Sequence, residues 1–469
     1  MPASIPTASR YGQSPPRAPA HAPMGPSHAV GPWVPSWGSL QGTQVTLSFA
    51  CLLLYIFIII SFKLNIGTIV MGTAAAGLIF VSQPRLPLPV LAFCLYVLWC
   101  GIGAPQALDP TVTTSMVIDD LKLAVIMIVL VNAVRSRGQL QWLLVTHVSS
   151  FFVFAVMFSL YFYNTGNRQM GRAVGYFTYQ NSNDLAALAI LCAAVCLGIA
   201  GAAGKQKLVR LVAFGMAIVT LVLITLTQSR GAMLGLAVGF VVPALAYAKR
   251  SRKGLVFLPL ALILLVRFAP AGVWNRLAGL TKFDSSSDNR QLDPEGSAGE
   301  RWKILQTAVK ISADNPLFGV GRGNYRQANA KYEPTVGRRD THNTYLNVLA
   351  ETGSVGLLLY LAMLTSACAT AVQAIRRLRK SGADPARRQL LEWMTAGFVA
   401  FLVTAIFGTY SGLAFPQIYF AMLWTAGAME SDGATAIPNG AGRAAAKRGR
   451  LKRSLVRAPS YPARATAQH

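Results

Sequence analysis

Residues 338–361 read RRDTHNTYLNVLAETGSVGLLLYL. Within a few positions a charged, hydrogen-bonding run gives way to an apolar helical pattern. One of the five histidines of the chain stands at the change, followed by an asparagine. The meaning of that boundary depends on the solvent around the helix and on the side to which His342 and Asn343 face.

Composition answers the first point. The chain has 469 residues, 53% hydrophobic and 13% charged, whereas an ordinary soluble domain carries about 25% charged residues. Lipid is the implied solvent. In lipid the backbone must satisfy its own polar groups, and apolar runs of this length do so as helices. Such runs fall near 46–62, 66–82, 88–104, 116–134, 142–160, 185–203, 208–226, 232–248, 254–270, 345–373, 391–408 and 412–429. They predict an all-α polytopic integral membrane protein with about twelve transmembrane helices. Six cysteines, at 51, 94, 100, 192, 196 and 368, all lie in apolar stretches without metal-ligand spacing, and read as small buried hydrophobes.

Charge orients the helices. The net charge of +26 would point a soluble protein to nucleic acid; here it reads as topology and contact with anionic membrane lipids, with no nucleic-acid partner. With the amino terminus inside, the inside connections hold Arg85, Arg135, Arg137, Lys205, Lys207, Arg210, Lys249, Arg250, Arg252, Lys253, Arg376, Arg377, Arg379, Lys380, Arg387 and Arg388. The short outside connections hold Lys63, Arg168, Arg172 and Arg230. Positive-inside asymmetry then puts both termini in the cytoplasm. The divisions expected are a Pro-rich disordered leader (1–45) without a cleavable signal, nine spans (46–270), an outside loop (271–344), three spans (345–430) and a basic disordered tail (431–469). The loop carries eleven Lys/Arg and eight Asp/Glu. It contains two helical segments, 299–314 and 323–333, around a glycine-rich turn, DNPLFGVGRG (314–323), with a mobile piece at 284–299.

The outside-facing cations are the candidates for chemistry. Ser229-Arg230-Gly231 interrupts two apolar runs. A guanidinium at membrane depth costs at least ~2.5 kcal/mol on insertion scales and marks a functional site or a buried pair. Arg230 either snorkels to lipid phosphates or forms an anion site, Gly231 letting a ligand approach the backbone. Arg301, beside Glu300, also fits a solvated helix face, and Arg322 a loop charge. Arg172 precedes Asn181, Asn183 and Asp184, which resemble a helix N-cap. Thr341 is the expected cap of the re-entering helix, with Asn343 in its first turn. A histidine at a helix N-terminus is held neutral and is competent as a general base. Arginines hold phosphate bidentately. Together these point to a diphosphate at headgroup level, tethered by a lipid chain. No metal site and no cofactor are expected, since one histidine without paired acids is a poor ligand set.

GRAVGYFTYQNSNDLAAL (171–188), TLTQSRGAMLGLAVG (225–239), ERWKILQTAVKISADNPLFGVGRGNY (300–325) and THNTYLNVLAETGSVGLLLYL (341–361) resemble, in order and spacing, the blocks of the O-antigen ligase family. The resemblance implies a metal-independent, inverting, GT-C-like membrane glycosyltransferase of the bacterial inner membrane, acting at its periplasmic face. It would move O-antigen from undecaprenyl diphosphate to the lipid A-core. It further implies His342 as the catalytic base and Arg230 and Arg301 on the diphosphate, with Arg172 and Arg322 beside them. Arg168, Asn343 and Tyr345 are further substrate-binding candidates. Tyr-Gln-Asn-Ser-Asn at 179–183 departs from the Pro-Asn wording of the family. The same donor serves O-antigen polymerases and protein O-oligosaccharyltransferases, so these stay as alternatives. A lipid-linked glycan transporter is a reading of a different class. It calls for ionisable residues at several midplanes and for repeat symmetry, whereas here only Lys122 and Arg267 are ambiguous.

Overall fold

The computed structural model describes residues 45–61, 66–81, 83–176, 179–250, 298–382 and 385–432. Among these the protein is all-helical: α1 (Leu47–Ser61), α2 (Gly67–Ala76, tightened to a 3₁₀ turn through Phe80), α3 (Leu88–Gly103), α4 (Pro110–Ala133), α5 (Arg137–Phe151), α6 (Phe158–Asn164), α7 (Ser182–Ala202), α8 (Lys207–Leu226), α9 (Arg230–Arg250), α10 (Ala298–Asp314), α11 (Tyr325–Tyr332), α12 (Thr344–Lys380), α13 (Pro385–Thr404) and α14 (Ala414–Asp432). A π-turn at Phe152–Met157 joins α5 to α6. Eleven of the expected apolar runs coincide with helices. The twelfth, 254–270, lies outside the described residues, as do Arg267, the leader, nearly all of the 284–299 piece and most of the tail.

Among the described residues, five stretches are long and apolar enough to cross a bilayer: Leu88–Gln106, Arg137–Asn164, Ser182–Ala202, Lys207–Leu226 and Thr344–Lys380. Leu47–Ser61, Gly67–Phe80 and Arg230–Val241 are apolar but shorter. The protein is therefore a membrane protein, with fewer helices that meet the length and apolarity of a span by themselves than the twelve expected. Part of the difference is chemical. Helix α4 carries Asp119, Asp120 and Lys122, and α13 carries Arg387, Arg388 and Glu392.

Local signals set the helix starts. Asp109 caps α4, accepting from the N–H groups of Thr111 (3.0 Å) and Val112 (3.3 Å), with Pro110 at the first helical position. Ser136 and Gln139 form a capping box on α5. The central helix, α7, is almost wholly buried, and its small residues admit α13: an added Cβ on Gly198 would lie 3.0 Å from Leu390, and one on Gly397 2.3 Å from Ala194. Gly231, Gly235 and Gly239, four apart on α9, face Phe407, Thr404 and Ala400 of the α13 end in the same way. This is small-residue packing at four-residue spacing. It corrects the reading of Gly231 as a ligand-approach residue, because its open side is filled by Phe407.

The bundle has two chemically unlike ends. At one, the Arg135 guanidinium and the Arg85 backbone N–H donate to Asn132, Arg137 and Arg387 gather on Glu430, and Arg379 and Arg388 on Glu392. At the other lie the turns 165–182, 226–230, 340–344 and 404–414.

Helix α12, 37 residues long, would measure about 55 Å, more than the ~30 Å hydrocarbon core. It is broken at Gly353 (φ 71°, ψ −173°). A break leaves backbone groups without their i→i−4 partners. The 316–321 loop supplies them: Val320 N–H donates to Ala350 O (2.9 Å), Gly321 N–H to Glu351 O (3.0 Å), and Pro316 O accepts from Ser354 N–H (2.8 Å). Trp99 Nε1 donates to Thr352 O (3.0 Å). The expected glycine-rich turn is thus a splice into the broken helix. A Cβ on Gly353 would lie 2.0 Å from Leu317 O. Gly353→Ala adds that clash to a left-handed backbone that itself costs about 1–3 kcal/mol, and should lower the thermal midpoint in detergent by several degrees. Gly72→Ala, in open space within α2, is the control and should leave the midpoint unchanged or raise it.

Candidate functional site

The turn after α13 organises the end of the bundle that carries fewer basic side chains. Thr344 ties the start of α12 to it: its N–H donates to Ala405 O (2.8 Å), its hydroxyl donates to Gly408 O (2.6 Å) and accepts from Tyr410 N–H (3.0 Å). Thr341 Oγ1 lies 3.1 Å from Thr409 Oγ1, and Thr409 donates to Asp340 Oδ1 (2.8 Å). On the other side Phe407 meets Gly231, and Thr404 Oγ1 reaches Gly231 O (3.4 Å). Tyr410 OH lies 3.5 Å from Asn183 O. One turn therefore joins the segments that carry His342, Arg230 and the α7 start.

Arg172 belongs to the same assembly. It is 6% exposed; its Nε donates to Thr227 O (2.8 Å) and its Nη2 to Asn183 Oδ1 (2.6 Å). Ala173 N–H donates to Leu226 O (3.0 Å) and Gln228 Nε2 to Gly171 O (3.2 Å). The arginine thus bridges the turn that precedes Arg230 to the start of α7. The cap of α7 is Asn181, which accepts from Asn183 N–H (2.8 Å), so Asn183 is left to hold Arg172.

On α10, Ile304, Ala308 and Ile311 pack with Tyr325, Ala328 and Ala350, and Leu346 seats against them. Arg301 stands one turn before Ile304 on the same helix. It is half-buried.

His342 has φ 49°, and the cap of α12 is Asn343, whose Oδ1 accepts from the N–H groups of Tyr345 and Leu346, both at 3.0 Å. The expected cap, Thr341, instead faces Thr409. His342 is therefore just outside the helix, on a left-handed residue. Among the described residues four non-glycines have positive φ: Gln83, Met170, Gln228 and His342. Three of them lie at His342 or within two residues of Arg172 or Arg230. Such backbone strain, of order 1–3 kcal/mol per residue, collects where surrounding contacts impose it.

The remaining expected residues part from this group. Arg168 is exposed; its Nε donates to Tyr163 O (2.7 Å) and its guanidinium lies 4.1 Å from the Tyr163 ring centre. Tyr345 OH donates to Leu402 O (2.9 Å). Arg322, expected on the diphosphate, is 5% exposed and faces two carboxylates. Its Nε and Nη2 donate to Asp120 Oδ2 (2.8 Å) and Oδ1 (3.3 Å), and its Nη1 to Glu351 Oε2 (2.8 Å). That pairing turns the guanidinium to protein acids rather than to an outside anion.

The hydroxyl-rich turn FGTYSG (407–412) and Asp340 were missed as site components; the interruption of two apolar runs by Thr, Tyr and Ser is the signal that marks the turn. Burial raises the Asp340 carboxyl, but hydrogen bonds from Arg326 (2.8 Å) and Thr409, with the positive charge of Arg326 and of a charged His342, hold it below the ordinary aspartate value.

Residues 214–361 match the family model described as O-antigen ligase. Over that stretch the chain is similar to O-antigen ligases. The matched stretch holds Arg230, Arg301, Arg322 and His342; Arg172, Asp120 and the 404–412 turn lie outside it. The chain matches none of the curated proteins with which it was compared. The similarity sets the coarse function, a membrane enzyme of the O-antigen ligase or polymerase type, a kind of glycosyltransferase whose partners as a family are lipid-linked glycan and lipid A-core.

The depressed Asp340 value has a pH consequence. A carboxyl lower in the folded than in the unfolded state stabilises fully above the unfolded pKa, and that contribution is lost as pH falls through the folded value. Asp340→Asn should flatten the acid-side fall of the thermal midpoint, measured between about pH 6 and pH 3. An unchanged slope would show that the Arg326–Asp340–Thr409 tie carries no stability.

Proposed function

We propose that the protein is an O-antigen ligase of the bacterial inner membrane, GT-C-like with twelve spans and both termini in the cytoplasm. It transfers O-antigen polysaccharide from undecaprenyl diphosphate to the lipid A-core at the periplasmic face. The reading is supported by the hydrogen bonds around the turn after α13, which join the segments that carry Arg172, Arg230 and His342 at the bundle end opposite the basic belt. Positive charge in the cytoplasmic connections makes that end periplasmic.

The chemistry follows from the groups. His342 takes the proton of an acceptor hydroxyl. The hydroxyl oxygen forms a bond to the sugar carbon that bears the diphosphate, and the bond from that carbon to the diphosphate oxygen breaks. The leaving group departs as polyprenyl diphosphate, and Arg230 and Arg301, with Arg172 behind them, balance the negative charge that grows on it. Guanidinium groups fill the role that a divalent cation plays elsewhere. The strained φ of His342 fits a residue held by its neighbours for a task. Arg322 is left out of the diphosphate set in this reading, because Asp120 and Glu351 already occupy it. Asn343 orients the helix start, and Arg168 and Tyr345 take no direct part.

His342→Ala should abolish transfer from a polyprenyl-diphosphate-linked glycan to lipid A-core in nanodiscs while donor binding survives; near-normal transfer rejects the base. Arg230→Lys and Arg301→Lys should weaken turnover by about tenfold or more, since a point charge cannot reproduce the fork; normal donor binding and turnover in both would remove the diphosphate site. Activity should persist in EDTA, and magnesium-dependent recovery after EDTA would overturn the metal-free mechanism. In a deletion strain, loss of all long chains from lipid A with lipid-linked polymer accumulating is the expected electrophoretic pattern, whereas a single repeat on the core means a polymerase.

A further inference from the structure

Arg322, Asp120 and Glu351 form a buried cluster, with 5%, 2% and 4% exposure, that the transfer chemistry does not use. The three residues come from three separate parts of the chain. Asp120 is on α4, Glu351 stands two residues before the break in α12, and Arg322 follows the splice that fills the break. The cluster is extended on each side. Glu351 Oε1 accepts from Tyr325 N–H (3.3 Å) and Asn347 Nδ2 (3.4 Å). Asn324 Nδ2 donates to Thr113 Oγ1 (2.8 Å) and Asp109 O (3.2 Å) on the α4 side. A Cβ on Gly412 would lie 3.3 Å from Arg322 Nη2, so the guanidinium also underlies the turn to which Thr344 is tied.

The break makes this cluster consequential. Thr344–Thr352 is a nine-residue helical piece whose far end has no covalent helical continuity of direction with the rest of α12. Its near end is tied to the turn after α13 through Thr344; its far end is set by the 316–322 loop, which fills the gap at Gly353 and grips Glu351 through Arg322, and the loop is fixed to α4 through Asp120. The same short piece presents Asn343 and His342 at its other end.

We propose that Arg322, Asp120 and Glu351 are positioning residues: the charge cluster locks the loop into the break of α12 and thereby aims the Thr344–Thr352 piece, and with it His342, at the transfer site. The lock is a statement about the fold; its effect on transfer rests on the function proposed above. A catalytic group displaced by about 1 Å loses about 10²-fold in rate, so a small swing of this piece is enough to matter.

The test uses the full chain in nanodiscs, with hydrogen exchange read by mass spectrometry and transfer and polyprenyl diphosphate binding read separately. Arg322→Met should speed exchange in the peptides that hold Val320, Gly321 and Ser354, lower kcat by about 10²-fold and leave polyprenyl diphosphate affinity unchanged. Removing one partner strands the two carboxylates, whereas removing all the charges does not. The triple variant Asp120→Asn, Arg322→Met, Glu351→Gln should therefore bring both exchange and kcat back toward the native protein. It also keeps the test decisive if the single variant fails to fold. Unchanged exchange in Arg322→Met, or faster exchange with native kcat, overturns the proposal. So does a triple variant no better than the single one. Lost polyprenyl diphosphate affinity in both variants would make Arg322 a phosphate ligand instead. If the native protein transfers no glycan, the proposed function fails and the positioning role with it, while exchange alone still decides whether the lock exists.

Discussion

A helix that stops bonding to itself must be completed by something else, and in this protein the completion is the loop between α10 and α11. The break at Gly353 exposes the carbonyls of Ala350, Glu351 and Thr352 and the N–H of Ser354. Each is met by a group from Pro316, Val320, Gly321 or Trp99. In a membrane protein an unpaired backbone group costs several kcal/mol, so neither partner is stable without the other. The three glycines of GVGRG have positive φ (66°, 94° and 85°), and the first two sit where added side chains would strike the α12 backbone or α4. The loop is a glycine-rich turn fitted to one gap.

At the end of the bundle opposite the basic belt, hydrogen bonds between turns act together with aromatic packing such as that of Phe401 with Tyr410 and of Tyr179 with Phe415. Thr341, Thr344, Thr409 and Tyr410 carry the connection between α12 and α13, and Arg172 carries the one between the α7 start and the α8–α9 turn. These ties are what hold Met170, Gln228 and His342 in left-handed conformations.

Much of the helical architecture was legible in the residues. Apolar runs located eleven helices, but two of the starts, expected near 116 and 142, lie earlier, where Asp109-Pro110 and Ser136-x-x-Gln139 supply ordinary capping chemistry. What could not be read was long-range pairing. Nothing adjacent to Arg322 reveals that Asp120, about two hundred residues earlier, is its partner. A run of apolar residues with one acid looks the same whether that acid faces lipid or a guanidinium. The site followed the same division. His342 and Arg230 stood out because each interrupts an apolar pattern locally. The 404–412 turn gains its role only from what folds against it. The cap of α12 was misplaced by two residues because Thr341 and Asn343 are both competent caps, and contact with Thr409 decided between them.

The glycine ladder of α9 also sets a dimension. Gly235 and Gly239 are seated on the α13 backbone and Gly231 on the side chain of Phe407 just beyond it, so α9 and α13 approach as closely as their backbones allow. Arg230 at the start of α9 and the Thr344 anchorage beyond the end of α13 are thereby held at a spacing that atomic radii fix, and a side chain added anywhere along the ladder would widen it for both.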